Sequence, residues 1–386
     1  RLHIAYAPGG FRDNAAYYGK SLAHAVSADN GLSWTQCEAA AITGDKRVST
    51  MGLALPNGEY IFPAYRPSIK VTEKIRRILP RPLPGHPGVF KAEDFPGELT
   101  EYRLFRRPKG KTEWKKEKAE VHLPGAIRTV IASNIEVNID GQVCSLANGC
   151  LPFPMIGWGS RGIITSDGGI LFGNYSKRLV EGRLREDYAC VFLSSSDDGH
   201  TWELLSEIPY EPDRRHDPTW KEREALGWHE GFNEPDITVL PDNSLFCLMR
   251  STTGSTIIGP TYSSRSEDEG KTWSKPKIFD ESGVRPGLLT LKNGVTLACY
   301  GRPGFYIRAS SDPSGIHWED KIEIVKPAFN RNNCNWHNRD TCGYGGLVAL
   351  DEETALVVYS DFEYPEPKLR TACKTILVRK IKTIVL

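Results

Sequence analysis

Two residues of opposite charge bracket one short run of this chain. Glu234 stands in Asn233-Glu234-Pro235-Asp236, and Arg250 closes Leu248-Met249-Arg250. A carboxylate in such a place accepts a proton or holds a positive charge. A guanidinium offers a planar fork that grips an anion at two points. Five further residues of useful chemistry stand at similar borders: Arg47, Arg66, Arg285, Arg302 and Tyr344. The charged stretch 211–231, which reads as a loop and carries His216, Trp228, His229 and Glu230, runs directly into Glu234. His229 is thereby a candidate substrate contact.

The run between Glu234 and Arg250 explains why the two would meet. Ile237, Val239, Leu245, Cys247 and Met249 alternate with smaller or more polar residues, and Pro241-Asp242-Asn243-Ser244 interrupts them. That pattern predicts two antiparallel strands joined by a tight turn. The start of the first strand and the end of the second then lie at one end of the hairpin. The same plan recurs over 47–66, 161–174, 285–302 and 344–361. Such a repeat decides the fold before any single residue does.

A second signature follows most of these hairpins. Ser27–Trp34, Ser195–Trp202 and Ser266–Trp273 each fit S-x-D-x-G-x-[ST]-W, while 311–318 and 107–114 are degraded copies. The Asp suits turn amides, the Gly a positive φ, and the Trp an inter-sheet gap. These aspartates are therefore expected to build turns and not to do chemistry.

Composition narrows the partners. A net charge of +1 argues against nucleic acid or an anionic membrane surface. No apolar run reaches membrane-spanning length. The nine cysteines include no C-x-x-C, so a zinc site is not expected; no other metal and no cofactor is expected either. Cys190, Cys247, Cys299 and Cys373 fall on predicted strands as small core residues; Cys144 with Cys150, or Cys334 with Cys342, could pair. The chain opens on Arg1, which suggests a removed leading segment, in keeping with a secretory signal.

The expected architecture is all-β: a six-bladed β-propeller of four-stranded antiparallel sheets with Asp-box turns, in a single domain over 1–386. The units run over about 1–40, 47–120, 121–207, 232–280, 282–326 and 343–386. Five or seven blades, or a two-sheet sandwich, are the rivals. The first unit lacks a clear first strand, which an upstream segment or the C-terminal tail would have to supply. The proline-rich insertion 68–99 reads as an irregular surface loop, and 127–154 as an additional hairpin. In a blade, the inner strand starts where the second strand ends. Glu234, Tyr344 and the five arginines then converge at one mouth of the ring, and the boxes lie on the far face.

These residues resemble the sialidase (neuraminidase) superfamily. The resemblance rests on the Asp boxes along nearly the whole chain, on Asn233-Glu234-Pro235 with Met249-Arg250, and on Gly343-Tyr344-Gly345-Gly346-Leu347. It implies a tyrosine nucleophile, Tyr344, whose proton goes to Glu234, and an arginine clamp on a sugar carboxylate drawn from Arg250, Arg302, Arg47, Arg66 and Arg285. It also implies an acid Asp, with Asp13 in Phe11-Arg12-Asp13-Asn14 the best topological match and Asp94 the alternative. Sialidases are an exception to the two-carboxylate scheme of glycosidases. The family's F/Y-R-I-P motif is missing; Lys46-Arg47-Val48-Ser49 is the nearest stretch.

The expected activity is exo-hydrolysis of a terminal acidic sugar, sialic acid or a related ulosonic or uronic acid, from a glycan. Such a substrate suggests a secreted or periplasmic protein. Related propellers also host rhamnosidases and polysaccharide lyases, and a carbohydrate-binding propeller without catalysis is a third class. A lyase would use a His or Tyr base, for which His216, His229 and His337 are available.

Overall fold

Alternating side chains build the sheets. In the strand Leu245–Arg250, Leu245, Cys247 and Met249 face one apolar cluster, and Phe246 and Leu248 face another. A strand with period two and both faces covered belongs to a sheet packed between two others. The computed structural model describes residues 2–6, 23–38, 52–64, 69–70, 74, 77–86, 89–96, 102–129, 136–139, 142–145, 149–150, 161–227, 229–251, 258–327, 344–366 and 371–384. These are strand-rich, all-β and propeller-like.

The described strands form successive antiparallel meanders. The first sheet holds Leu2–Tyr6, Ala23–Ser27 and Thr35–Glu38. The second holds Leu53–Ala54, Tyr60–Pro63, Tyr102–Arg107 and Lys115–His122. The third holds Ile163–Ile164, Ile170–Ser176, Ala189–Ser195 and Thr201–Ile208. The fourth holds Asn233–Val239, Leu245–Arg250, Thr261–Ser266 and Lys277–Asp280. The fifth holds Val284–Thr290, Thr296–Gly301, Phe305–Ser310 and Ile322–Val325. The sixth holds Gly346–Ala349, Thr354–Glu366 and Thr371–Lys382. A parallel ladder from Thr201↔Glu120 to Glu203↔His122 fuses the second and third sheets into one of eight strands.

The boxes do what their sequence predicts. Asp29, Asp197 and Asp268 each accept the amide four residues on, at 2.8–2.9 Å. Each turn carries two left-handed residues in a row: Asn30-Gly31, Asp198-Gly199 and Glu269-Gly270. The box glycine of one sheet lies against the sheet before it. A Cβ on Gly199 would stand 3.0 Å from Ile61, one on Gly270 2.9 Å from Leu171, and one on Gly315 2.9 Å from Leu240. A Cβ on Gly31, in the first sheet, would stand 2.5 Å from Leu356 of the sixth. The last sheet thus stands where a sheet preceding the first would stand.

Three expectations change. The first and sixth sheets show three strands among the described residues, and Thr371–Lys382 pairs with Thr354–Glu366 instead of completing the first. The insertion 68–99 is not simply irregular. Val89–Lys91 pairs with Ile127–Thr129, and Ile69–Lys70 with Gly149–Cys150, so the two excursions share ladders. The expected hairpin between them forms from Glu136–Ile139 and Gln142–Ser145. Finally, the charged stretch 211–231 contains a helix, α1, Trp220–Ala225. No described helix is long and apolar enough to cross a membrane.

Candidate active site

The site begins with a kink in the backbone. Asn233 pairs with Arg250, but the ladder slips between Asn233 and Asp236, and Glu234 takes a left-handed φ of 48°. That conformation is uncommon for a residue with a Cβ and tends to mark functional positions. The fifth sheet opens the same way. Its ladder slips between Val284 and Gly287, with Arg285 at φ 46°. Arg302, just beyond Thr296–Gly301, is left-handed as well at φ 54°. Meander geometry puts these positions at the end of the sheets away from the boxes.

The kinks bring the predicted side chains together. Tyr344 Oη donates to Glu234 Oε1 at 2.5 Å. Glu234 Oε2 takes Arg250 Nη1 at 3.2 Å and the Arg285 amide at 3.1 Å. The Arg285 Cζ lies 5.9 Å from the centre of the Tyr344 ring. Arg250 also reaches Glu230, its Nη2 lying 3.8 Å from Oε2. Five sequence-predicted residues, Glu234, Arg250, Arg285, Arg302 and Tyr344, act on one another here.

Their electrostatics follow. Burial pushes the Glu234 carboxyl up, but the charges of Arg250 and Arg285 and hydrogen bonds from Tyr344 and Arg250 outweigh it, leaving it below its ordinary value. Tyr344 is 44% exposed as a residue, yet its hydroxyl end lies among Glu234, Arg250 and Arg302. Loss of water there and the Glu234 charge push the phenol well above its ordinary value, against the pull of both arginines. Burial works against the Arg250 charge, but Glu234, Tyr344 and Glu230 more than compensate and hold it protonated. The resting pair is thus a neutral phenol hydrogen-bonded to a carboxylate, which can take the phenolic proton when the oxygen attacks.

A second ion pair, not anticipated from sequence, supports the mouth. Asp236 Oδ2 accepts the Leu288 amide at 2.7 Å and Oδ1 accepts the Arg161 amide at 3.1 Å. The Arg161 side chain donates to the Leu347 carbonyl at 2.6 Å and to the Leu288 carbonyl. Its Nη2 is 3.9 Å from Asp236 Oδ2. Strands of the fourth, fifth and sixth sheets are tied through this one side chain. Arg161 had marked a hairpin start, but only packing between sheets reveals its partners.

His229 sits beside the helix that precedes the fourth sheet. Its ring stacks on Trp220, with centroids 4.6 Å apart and planes at 10°. The ring also lies against Tyr210, and burial with the nearby Arg223 charge holds it below the ordinary histidine value. Arg223 on α1 is fully buried and was missed. It bonds Asp217, the Tyr210 hydroxyl at 3.1 Å and the Ser251 carbonyl at 2.7 Å, next in sequence to Arg250. Asp13, Arg47 and Arg66 lie outside the described residues; Asp94 ends an exposed 3-10 turn, Ala92–Asp94.

A family model described as a BNR repeat-like domain matches residues 158–366, more than half the chain. No curated protein matches. A protein of unknown function from Dyadobacter fermentans is similar in structure, with 16% identity, a TM-score of 0.58, and coverage of 94% of this chain and 84% of that one. The Hadza microbial sialidase Hz136 is similar at 16% identity and TM-score 0.49, over 95% of this chain and 60% of that one. NanB sialidase from Streptococcus pneumoniae, as a K499G mutant, has 14% identity and TM-score 0.43, over 94% and 63%.

Proposed function

The chain belongs to the BNR repeat-like domain family, and from that premise we propose that it is a glycoside hydrolase of the sialidase type, cleaving a terminal acidic sugar from a glycan. The observation that carries this reading is the 2.5 Å contact of Tyr344 Oη with Glu234 Oε1, flanked by arginines. In the step we infer, the O–H bond of Tyr344 breaks and Glu234 Oε1 takes the proton. Oη forms a bond to the anomeric carbon, and the aglycone bond breaks with its electron pair going to the leaving oxygen. A separate acid protonates that oxygen; Asp13 is the proposed donor. Water then opens the tyrosyl–sugar bond. A neutral nucleophile suits a substrate whose own carboxylate would repel an anion, and Arg250 with Arg302 would hold that carboxylate.

The ring we infer is one domain of six blades, one per meander, acting on glycans outside the cytoplasm. The test is incubation with fluorogenic sialosides, a panel of uronides and neutral glycosides, with products identified by mass spectrometry. Release of a free acidic sugar is expected. An unsaturated product, turnover of neutral glycosides alone, or binding without turnover would each overturn the proposal in favour of a lyase, a rhamnosidase-like enzyme or a binding propeller.

A further inference from the structure

Glu234 and Arg285 occupy the same place in neighbouring sheets. Each is the second residue of its strand, each precedes a proline, and each is left-handed at a slip of the ladder. Proline after a left-handed residue leaves little backbone freedom at the kink. The two strand entrances are therefore rigid copies of one device, turned to different use by Glu in one and Arg in the other. The kink at Arg285 aims its amide at Glu234 Oε2, 3.1 Å away, and sets its guanidinium carbon 5.9 Å from the Tyr344 ring centre. That distance is within cation–π reach.

We propose that Arg285 is a positioning residue for the Tyr344–Glu234 pair: its amide fixes the carboxylate and its guanidinium backs the phenol ring while the proton crosses. The proposal rests on Tyr344 being the nucleophile. The charges of Arg250 and Arg285 both favour the ionised acid, which opposes protonation of Oε1, and Arg250 bonds that carboxylate directly. Arg285 works on both partners. When the proton leaves Oη for Oε1, the attraction to Glu234 weakens, but the ring becomes richer in electrons and its attraction for the guanidinium grows. Oε2 remains an acceptor for the Arg285 amide in either state. Arg285 thereby stays in contact with the pair in both protonation states. A clamp on the substrate carboxylate would instead require Arg285 to act mainly in binding.

The experiment compares Arg285→Gln and Arg285→Lys with the parent and with Tyr344→Phe, reading kcat, KM and the pH profile. The Gln variant should lose about 10²-fold in kcat, a usual scale for impaired proton transfer, with KM little changed. The Arg285 charge helps depress the Glu234 carboxyl. Removing it should raise that value, so the acid limb of kcat/KM moves to higher pH. The Lys variant should restore the limb more than the rate, because lysine keeps the charge and loses the planar face. Carbon-13 NMR of the glutamate carboxyls reads the same shift without substrate, and the Lys variant carries the test if the Gln variant does not fold. A KM rise at unchanged kcat, or an unmoved Glu234 titration, overturns the proposal. If Tyr344→Phe retains full turnover, the nucleophile reading itself has failed; if it is inactive while Arg285→Gln behaves as parent, only the role of Arg285 falls.

Discussion

Tyr344 and Glu234 come from different sheets, yet the phenol of one is hydrogen-bonded to the carboxylate of the other at 2.5 Å. Residues that work as one device do not contribute additively. Glu234→Gln and Tyr344→Phe should each fold normally and each reduce kcat by about 10²–10⁴-fold. The double variant should be little worse than either alone. A double-mutant cycle on a turned-over acidic glycoside measures this, and additive losses would contradict a shared proton.

Arg250→Lys should weaken binding of an acidic sugar although the charge remains. Lysine cannot hold Glu234 and offer a planar fork to a carboxylate together. Loss of one charge-assisted hydrogen bond, about 1.5–3 kcal/mol, corresponds to roughly 10- to 150-fold in affinity. Titration with the free acidic sugar, monitored calorimetrically, reads it. Unchanged affinity would remove Arg250 from the clamp.

Asp268→Ala should lower stability and leave the chemistry alone. Asp268 accepts the Thr272 amide at 2.8 Å, the Thr272 hydroxyl at 2.6 Å and the Ser266 hydroxyl at 2.8 Å, all at the box end of the fourth sheet. Because these bonds are partly solvated, their joint loss should cost on the order of 1–2 kcal/mol. The urea midpoint should fall while kcat of the folded enzyme stays as in the parent. A folded but inactive variant would overturn the assignment of the boxes to the far face.

Arg223→Leu should be among the most damaging substitutions in α1. It leaves Asp217 buried without its ionic partner, a change that costs about 3–5 kcal/mol in comparable pairs. It also frees the Ser251 carbonyl beside Arg250. Adding Asp217→Leu should recover part of the stability, since no charge is then stranded. Chemical denaturation of the two variants settles the sign.

The readable part of this protein is its local part. Alternation in Leu245–Arg250 and the Asp-Gly turns gave the hairpins and the boxes, because period and turn chemistry act over a few residues. Hairpin register alone was enough to oppose Asn233 and Arg250. The sharing of Glu234 between Arg285 and Tyr344 depends on how three sheets pack, and nothing in any one segment encodes it. Arg223 looked like one charge in a polar stretch because its partners, Asp217 and the Ser251 carbonyl, are assembled only by folding. The stack of His229 on Trp220 likewise has no signature in the sequence, because it forms only when α1 packs. The ladder between Val89–Lys91 and Ile127–Thr129 joins short pieces too far apart for pattern to pair them.

The parallel ladder between Lys115–His122 and Thr201–Ile208 makes two neighbouring sheets a single plate. Other seams among the described sheets, such as that of Leu248 with Leu288, are held by interlocked side chains. Backbone bonds resist shear along a strand; packed side chains slide more readily. The seam between the second and third sheets is therefore the stiffer one against shear, while the sheets that carry Glu234, Arg285 and Tyr344 are tied together across their seams by packing and by the Arg161 guanidinium.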